Sequence, residues 1–317
     1  MKIKELMRFM ADLTLRTGYP VPVPYDFSYR WAKDYNFNKK GETVLYTGAL
    51  YQLVPYIRSL SFYLKAIEKS DEGGYMALSI AKNLVKTDFI FKILPKPDEK
   101  LINWSSNVLK SIASILMKNK ISFSYLYEND IYSGALLYDM GIQNEFIEHA
   151  RKVYSIIKES NARKVVTVDP HTTNLLKNIY PRYIDNFSLD VVSYLELIDD
   201  SSIENKNYNK GVITVHDSCI YARNLSIVEK PRRLLEKAGY QINEVRRNKK
   251  FTFCCGGPIE SIAPSLSDAI ARDRVIELVE KSRKIVTMCP ICYINLYNQA
   301  SDNNAEVIDI SNLLVGD

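Results

Sequence analysis

The cysteines of this chain form a pattern suited to metal chemistry. Its 317 residues contain five of them: Cys219, the adjacent pair Cys254 and Cys255, and Cys289 and Cys292 in a Cys-Pro-Ile-Cys motif. Each group follows a predicted strand, and the carboxyl ends of parallel strands are where α/β folds place their sites. We therefore expect the three groups to converge on one point, which we call the cysteine site. Converging thiolates favour zinc or an iron–sulfur cluster.

The number of cysteines leaves more than one chemistry open. Zinc takes four ligands and a cubane cluster takes four cysteines, so one thiol is left over in either case. It either bridges irons in a larger or distorted cluster or remains a reactive thiol. Cys289 lies at the predicted N-cap of the last helix, where the helix dipole favours a thiolate. Two other interpretations are weaker: inert core cysteines require a coincidence of motifs, and a dithiol site using only Cys289 and Cys292 leaves the adjacent pair unexplained.

Several polar residues are candidates for proton transfer, hydrogen bonding or metal binding near these thiols. His216 and Asp217, just before the first cysteine, either supply a proton or a hydrogen bond to the cysteine site, or Asp217 only caps a turn. We interpret Asp169 and His171 as the polar start of a helix, because two ligands do not make a metal site. His149 lies on a long predicted helix, where we expect a solvated or edge position.

The elements that position these residues alternate between strands and helices. Predicted strands cover Thr43–Tyr46, Lys164–Val168, Gly211–Val215 and Lys284–Met288. Predicted helices follow Gly141 and cover Pro231–Ala238, Leu266–Lys281 and Pro290–Ala300, and the region from Ser61 to Lys120 is mostly helical. This alternation predicts an α/β fold with parallel sheets built from βαβ units.

The two halves of the chain resemble each other. The stretch Lys164–Thr172 matches Lys284–Cys292 in its strand, its proline and the helix that follows. Ser133-Gly134 resembles Cys255-Gly256, and Leu45–Ala49 can be aligned with Val215–Cys219. In the first copy the cysteine positions hold other residues: Ala49, Tyr132, Ser133, Asp169 and Thr172.

We therefore predict two tandem Rossmann-like parallel-sheet units that arose by internal duplication. An N-terminal arm covers residues 1–40, a first unit without cysteine covers 41–195, and a second unit with the cysteine site covers 196–317. The first unit is longer because of a helical insertion at about 61–120. The aromatic stretch Phe27–Trp31 of the arm is expected to pack on the body of the protein rather than to dock a partner.

Composition excludes several classes of function. Lys and Arg number 42 and Asp and Glu 37, a net charge of +5, which is too small to predict binding of nucleic acid or anionic membrane. No apolar run approaches a membrane span, and no signal peptide is visible. We expect a cytoplasmic protein, with any membrane association made through a partner. Loops for ATP or a nicotinamide cofactor are absent.

The ordered pattern of His216-Asp217, Cys219, Cys254-Cys255-Gly256 and Cys289-Pro-Ile-Cys292 resembles the cysteine-rich CCG domain found in the B-type subunit of heterodisulfide reductase. The same domain occurs in iron–sulfur subunits of glycolate oxidase, anaerobic glycerol-3-phosphate dehydrogenase and lactate-utilisation proteins. With the repeat, the resemblance covers residues 41–317. It implies a noncubane 4Fe-4S cluster with five cysteine ligands, which accounts for the fifth thiol. It also implies cleavage of a disulfide substrate or transfer of electrons.

The chain departs from this family pattern in its first copy. Family members usually carry two CCG copies, whereas here the first has no cysteine, so we expect a single cluster and a first unit kept as scaffold or docking surface. No C-x2-C-x2-C-x3-C ferredoxin motif is present. Electrons must then be exchanged with a separate ferredoxin-like or flavin-containing subunit.

The resulting prediction is an iron–sulfur redox subunit for electron transfer, with disulfide or thiol conversion within a complex. Two alternatives stay open. One is a zinc-binding structural or assembly subunit. The other is the iron–sulfur subunit of a flavin-linked hydroxy-acid, glycerol-3-phosphate or succinate dehydrogenase.

Overall fold

The computed structural model describes residues 2–69, 97–203, 209–260 and 262–315. The middle of the predicted helical insertion, residues 70–96, lies outside the described residues. The elements of the first unit are α1 (Lys2–Thr17, in the arm), β1 (Thr43–Tyr46), α2 (Leu50–Lys69), α3 (Glu99–Lys118), β2 (Ser124–Tyr125), α4 (Ala135–Asp139), α5 (Gln143–Glu159), β3 (Lys164–Thr167), α6 (Pro170–Asn174), β4 (Asp190–Ser193) and α7 (Tyr194–Leu197). Those of the second unit are β5 (Val212–Val215), α8 (Glu229–Lys237), β6 (Gln241–Ile242), α9 (Pro264–Val279), β7 (Lys284–Thr287), α10 (Pro290–Ala300), β8 (Glu306–Asp309) and α11 (Ile310–Leu314).

Each unit contains a four-stranded parallel sheet, and the two sheets have the same strand order. The first is ordered β2-β1-β3-β4 and the second β6-β5-β7-β8. The register agrees as well, because Leu45 pairs with Val166 and Val215 pairs with Val286, which are matching positions of the sequence repeat. The predicted pair of parallel-sheet α/β units is therefore confirmed.

Local details repeat between the units. Gly134 and Gly256 both adopt the left-handed backbone conformation, with φ of 84° and 85°, which glycine adopts without steric cost. The helices after β3 and β7 are capped alike. Asp169 accepts a hydrogen bond from the backbone N of Thr172 at 2.9 Å, and its counterpart Cys289 accepts one through its sulfur. These matches support descent of both units from one fold.

Helix α2 differs from the sequence prediction. It begins at Leu50, eleven residues before the predicted helical region, although Pro55 stands inside it, a residue that favours a break there. Its partner helix α3 starts at Glu99, where the side chain of Asp98 caps it by accepting from the backbone N of Lys100. The two helices pack on each other.

The arm packs on the first unit, as the sequence predicted. Phe27 and Trp31 are buried. The indole Nε1 of Trp31 donates to the hydroxyl of Tyr125 at 3.0 Å, so the polar edge of this buried ring is satisfied. Among the described residues, none of the helices is both long and apolar enough to traverse a membrane.

The carboxyl-end edges of the two sheets meet, and they do so through two reciprocal contacts. Tyr51 of the first unit donates to the Asp309 carboxylate at the end of β8, at 2.7 Å. Tyr221 of the second unit shares a hydrogen bond of 2.9 Å with Ser193 at the end of β4. Tyr51 and Tyr221 are matching positions of the repeat, as are the strand ends they contact. The units are thus related by a pseudo-twofold arrangement.

The apolar core follows the same plan. One buried cluster includes Leu45 and Tyr51 from the first unit together with Ile213 and Val215 from the second. We propose that the first unit ends with α7, because α11 occupies the same place after β8 in the second.

The two reciprocal contacts differ in charge, which gives a testable difference in stability. Burial raises the pKa of Asp309 to about 6, so at pH 8 this residue is a carboxylate and Tyr51 donates to a charged group. Tyr51→Phe should lower the free energy of unfolding by about 1.5–3 kcal/mol at pH 8, and Tyr221→Phe, which removes a neutral pair, by about 1 kcal/mol.

The pH dependence of the two losses should also differ. Because the pKa of Asp309 is raised in the folded state, the folded protein keeps this proton at pH values where the unfolded chain has already released it. The free energy of unfolding therefore falls as the pH rises toward 6. Tyr51→Phe raises that pKa further, so its cost should shrink at pH 5, whereas the cost of Tyr221→Phe should not change. Urea unfolding of the reduced protein at both pH values measures this. Equal, pH-independent losses would contradict the role given to Asp309.

Candidate metal centre

The structure brings all five cysteines together. Their sulfurs form a continuous chain in which each thiol shifts the pKa of the next, from Cys219 to Cys254, Cys255, Cys292 and Cys289. Cys255, Cys289 and Cys292 are buried, and Cys219 and Cys254 are partly exposed. Cys219 follows β5 and Cys289 follows β7, as predicted, but the expectation of a strand directly before the adjacent pair is wrong: Cys254 and Cys255 lie in the long loop after β6. The site therefore has a buried side and one edge open to solvent.

Glycine lets the chain pass close to these sulfurs. A Cβ on Gly256 would lie 2.6 Å from the backbone oxygen of Ser267, and a Cβ on Gly257 would lie 2.4 Å from Ile291 Cγ2 and 3.4 Å from Cys255 Sγ. The backbone N of Gly256 in turn faces the sulfur of Cys254 at 3.4 Å. Side chains at either glycine would displace the loop that carries the adjacent cysteines.

Two of the thiols are acidic. Hydrogen bonds from Cys219 and Cys255 hold the pKa of Cys254 well below its usual value. Burial raises the pKa of Cys289, but hydrogen bonds from Cys292 and His171 outweigh it and keep that pKa well below the ordinary range.

The other three cysteines remain protonated in the metal-free protein. Hydrogen bonding to Cys254 raises the pKa of Cys219 and of Cys255, and bonding to Cys255 and Cys289 raises that of Cys292. Because metals bind thiolates, loading the site with metal must release these protons.

His171 of the first unit is part of the same constellation. Burial lowers the pKa of this imidazole, but its hydrogen bond to Cys289 and the nearby Asp139 and Asp169 carboxylates outweigh burial and raise the pKa to about 9. At neutral pH an imidazolium therefore faces the Cys289 thiolate across the contact between units. Sequence reasoning missed this role. The repeat places His171 at the same strand end as the cysteines, but only the orientation of the units brings it to Cys289.

His216 lies near two other cysteines of the site, Cys255 and Cys292. Its Nδ1 is 3.0 Å from Nε of Arg274, a fully buried residue of α9. A ring nitrogen of His216, Cys255 Sγ and Cys292 Sγ lie within 4.8 Å of one another. Burial lowers the pKa of His216 well below its ordinary value, and the Arg274 guanidinium lowers it further, so this imidazole is neutral.

The carboxylate of Asp217 is held by a side chain and a backbone N–H. It binds Arg232 in a bidentate ion pair, with distances of 2.7 and 2.9 Å, and also accepts from the backbone N of Lys249 at 2.7 Å. The backbone oxygen of Asp217 accepts from the Thr252 hydroxyl. The fully engaged carboxylate ties the loop before Cys219 to the segment before Cys254. These contacts give Asp217 a structural role.

The matching positions of the first unit hold a polar core without thiols. Ala49, Tyr132, Ser133, Asp169 and Thr172 are all buried there. The Thr172 hydroxyl donates to the Ser133 hydroxyl at 3.1 Å, at positions where the second unit has Cys292 and Cys255. Thr172 and Ser133 thus satisfy each other.

The expectation that His149 is solvated or at an edge is wrong. The residue is fully buried, and its Nε2 lies 2.6 Å from the backbone oxygen of Tyr132. Burial lowers its pKa to about 4. His149 shares the buried face of α5 with Phe146 and Val153, and this helical spacing was a signal that could have placed it.

The fold and the site together define an α/β protein of two matching units, with a thiol-rich centre at the strand ends of the second. Comparison with known families agrees: residues 213–297 match the family described as CCG, cysteine-rich domain. The chain therefore carries a CCG domain, which confirms the resemblance seen in the sequence.

The similar proteins include oxidoreductases. The chain is 29% identical over 226 residues to the EtfAB:quinone oxidoreductase of Syntrophomonas wolfei, covering 65% of this chain and 31% of that protein. It is 27% identical over 212 residues to the probable iron-sulfur-binding oxidoreductase FadF of Bacillus subtilis, covering 64% and 30%. It is 26% identical over 213 residues to a subunit of the dihydromethanophenazine:CoB–CoM heterodisulfide reductase of Methanosarcina acetivorans, covering 63% and 52%. The chain thus spans about a third to a half of the length of these relatives.

The thiols should differ in reactivity in the metal-free, reduced protein. Cys254 combines a lowered pKa with partial exposure, whereas Cys289 is a buried thiolate and Cys219 a partly exposed but protonated thiol. A short pulse of iodoacetamide at pH 7 should therefore modify Cys254 at least about tenfold faster than the other cysteines. Peptide mass spectrometry measures the order, with Cys254→Ser as control. Modification of Cys255 or Cys289 first would contradict the geometry described above.

Proposed function

We propose that this chain is an electron-transfer subunit of an iron–sulfur oxidoreductase and that its second unit holds one cluster through the five cysteines. The observation that carries the proposal is the continuous chain of five sulfurs at the converging strand ends of a CCG domain. The relatives named as iron–sulfur-binding and heterodisulfide-reducing proteins support the same class.

The residues present fit such a group. The cysteine side chains that line the site present sulfur atoms, which iron and other soft metals prefer as ligands. Backbone N–H groups of Gly256 and Cys292 face the sulfurs of Cys254 and Cys289, as expected around a negatively charged cluster. Gly257 leaves space beside Cys255.

We assign a noncubane 4Fe-4S cluster with all of Cys219, Cys254, Cys255, Cys289 and Cys292 as ligands. A cubane would leave one sulfur of the continuous chain without a role. When bound, the cluster supplies one-electron redox chemistry. The protein residues shield it on the buried side and leave Cys219 and Cys254 at the open edge.

The open edge is where a disulfide or thiol substrate would approach. Reduction of a disulfide to two thiols takes two electrons and two protons, so a single one-electron centre has to be recharged between two steps. The second electron must come from another redox centre, which requires a partner subunit with a ferredoxin-like cluster or a flavin. The same requirement holds if the chain only relays electrons in a flavin-linked dehydrogenase.

A basic and apolar surface beside the open edge fits an acidic electron carrier. Phe251 is 84% exposed and Lys250 is also exposed, a few residues before Cys254. Arg223, in the helical turn after Cys219, donates to the backbone oxygens of Lys250 and Thr252, and so holds this segment next to the site. We propose that the partner docks here.

Metal analysis of matched variants tests the cluster. After anaerobic reconstitution the chain should be brown and bind about four irons. Cys292→Ser should lose iron or change the EPR signal of the reduced protein. Thr172→Ser, the same side chain at the matching position of the first unit, should leave both unchanged. One zinc per chain with no iron would overturn the proposal in favour of the zinc-binding alternative.

Charge reversal tests the docking surface. Lys250→Glu should slow reduction by a small acidic ferredoxin about threefold or more at low ionic strength, because the basic surface steers an acidic carrier. Lys152→Glu makes the same charge change on the exposed face of α5, in the first unit, and should have little effect. Stopped-flow rates over a salt series measure this. Equal slowing by both variants would show that only net charge matters.

A further inference from the structure

The contact between Arg274 and His216 determines which nitrogen of the imidazole carries a proton. Arg274 is fully buried, and its Nη1 donates to Glu277 at 2.7 Å and to the backbone oxygen of Arg247 at 3.0 Å. These bonds fix the guanidinium so that Nε points at Nδ1 of His216. A guanidinium is always protonated and only donates. Nδ1 must therefore accept, and it carries no proton.

The proton of His216 then has to be on Nε2. A neutral imidazole has one N–H, and with Nδ1 as acceptor the donor is Nε2. A doubly protonated ring would place an N–H of His216 against an N–H of Arg274. Nε2 is buried and has no hydrogen-bond partner in the part of the chain that the structure describes. A ring nitrogen of His216 and the sulfurs of Cys255 and Cys292 lie within 4.8 Å of one another, so these thiols are its sulfur neighbours.

We infer that Arg274 fixes the Nε2–H tautomer of His216 and that this N–H donates a hydrogen bond to the sulfur on the Cys255 and Cys292 side of the site. Arg274 is thus a positioning residue that acts through His216. The hydrogen bond from Nε2–H rests on the proposed function, because the accepting sulfur is taken to belong to a cluster. The assignment of the tautomer does not.

This assignment changes the chemistry available to His216. With its proton on Nε2, the residue has no lone pair toward the thiols, so it is not a metal ligand. A zinc site built from His216, Cys255 and Cys292 would require the bond to Arg274 to break. In this tautomer, His216 does not act as a general acid, and it has no basic nitrogen facing the sulfurs. It is a fixed donor.

The position of this donor complements the others. Cys254 and Cys289 each face a backbone N–H, and Cys289 also bonds His171. His216 supplies an N–H near the remaining buried sulfurs. Hydrogen bonds to the sulfurs of a cluster stabilise its more negative, reduced form and raise its potential.

The tautomer can be measured without any metal. The chain has only three histidines, so ¹⁵N-histidine labelling of the metal-free protein gives three imidazoles to assign, and His216→Gln identifies the signal of interest. We expect a protonated Nε2 and an unprotonated Nδ1. Arg274→Met should release the tautomer, and Arg274→Lys, which retains a donor, should preserve it. A protonated Nδ1 in the unmodified protein would overturn the inference, even if the Arg274 variants do not fold.

The donor role is measured by the reduction potential of the reconstituted protein. His216→Leu removes the N–H and should shift the equilibrium toward the oxidised cluster about tenfold, a fall of about 59 mV for a one-electron couple. His216→Gln keeps an N–H in this direction and should restore most of the potential. Equal potentials in all three proteins would overturn the donor role. Failure of the unmodified chain to assemble a cluster would instead overturn the proposed function, and the NMR result would still decide the tautomer.

Discussion

The meeting of the two sheet edges is the interaction on which the cysteine site depends. Tyr51 reaches the end of the last strand of the second unit, and Tyr221 reaches the end of the last strand of the first. Because both contacts lie at the carboxyl ends of strands, they bring the first unit against the same edge that carries the thiols. His171 meets Cys289 for this reason. The first unit has no cysteine, yet it forms one wall of the site.

The first unit also illustrates what a duplicated fold requires after its thiols are lost. Positions that hold sulfur in the second unit are buried, so polar replacements must find partners or cost free energy. Thr172 and Ser133 provide such a pair, and Thr172 packs so closely on Gly48 that a Cβ there would lie 2.5 Å from its hydroxyl oxygen. These two positions are filled and hydrogen bonded to each other, which fits a scaffold.

Local patterns made much of this fold predictable. The strand Thr43–Tyr46 and the helix Pro290–Ala300 were predicted to the residue, because an apolar β-branched run and a proline after an N-cap specify them locally. Because the two units match in sequence, the arrangement of strands and helices in one unit predicts that of the other. The meeting of Cys219 with Cys289 and Cys292 was predictable because strand ends of a parallel sheet share an edge, whereas the adjacent pair reaches the site on a long loop after β6.

Residues that act across distant contacts were not predictable in this way. Arg274 stands on α9, a helix whose pattern does not distinguish the position facing His216, and His171 depends on how the two units are oriented. The role of Asp217 stayed open in the sequence because its partner Arg232 lies on α8, fifteen residues along the chain. In each case the sequence shows a charged or polar residue of ordinary type, and its role is set by a partner brought close only by tertiary packing.

The distribution of charge around the site connects these contacts to function. A group of buried thiolates is unfavourable unless positive charge or hydrogen-bond donors compensate it. His171 provides positive charge from the first unit, and in the second unit the buried guanidinium of Arg274 contacts the ring of His216. In the metal-free protein three of the thiols stay protonated, so only the charge of the remaining two thiolates has to be compensated. A cluster that takes up an electron adds negative charge to the same place, and the compensating groups are held by both units. The first unit without cysteines therefore has a role in the proposed function: it holds charge and forms a wall beside the place where the proposed cluster would bind.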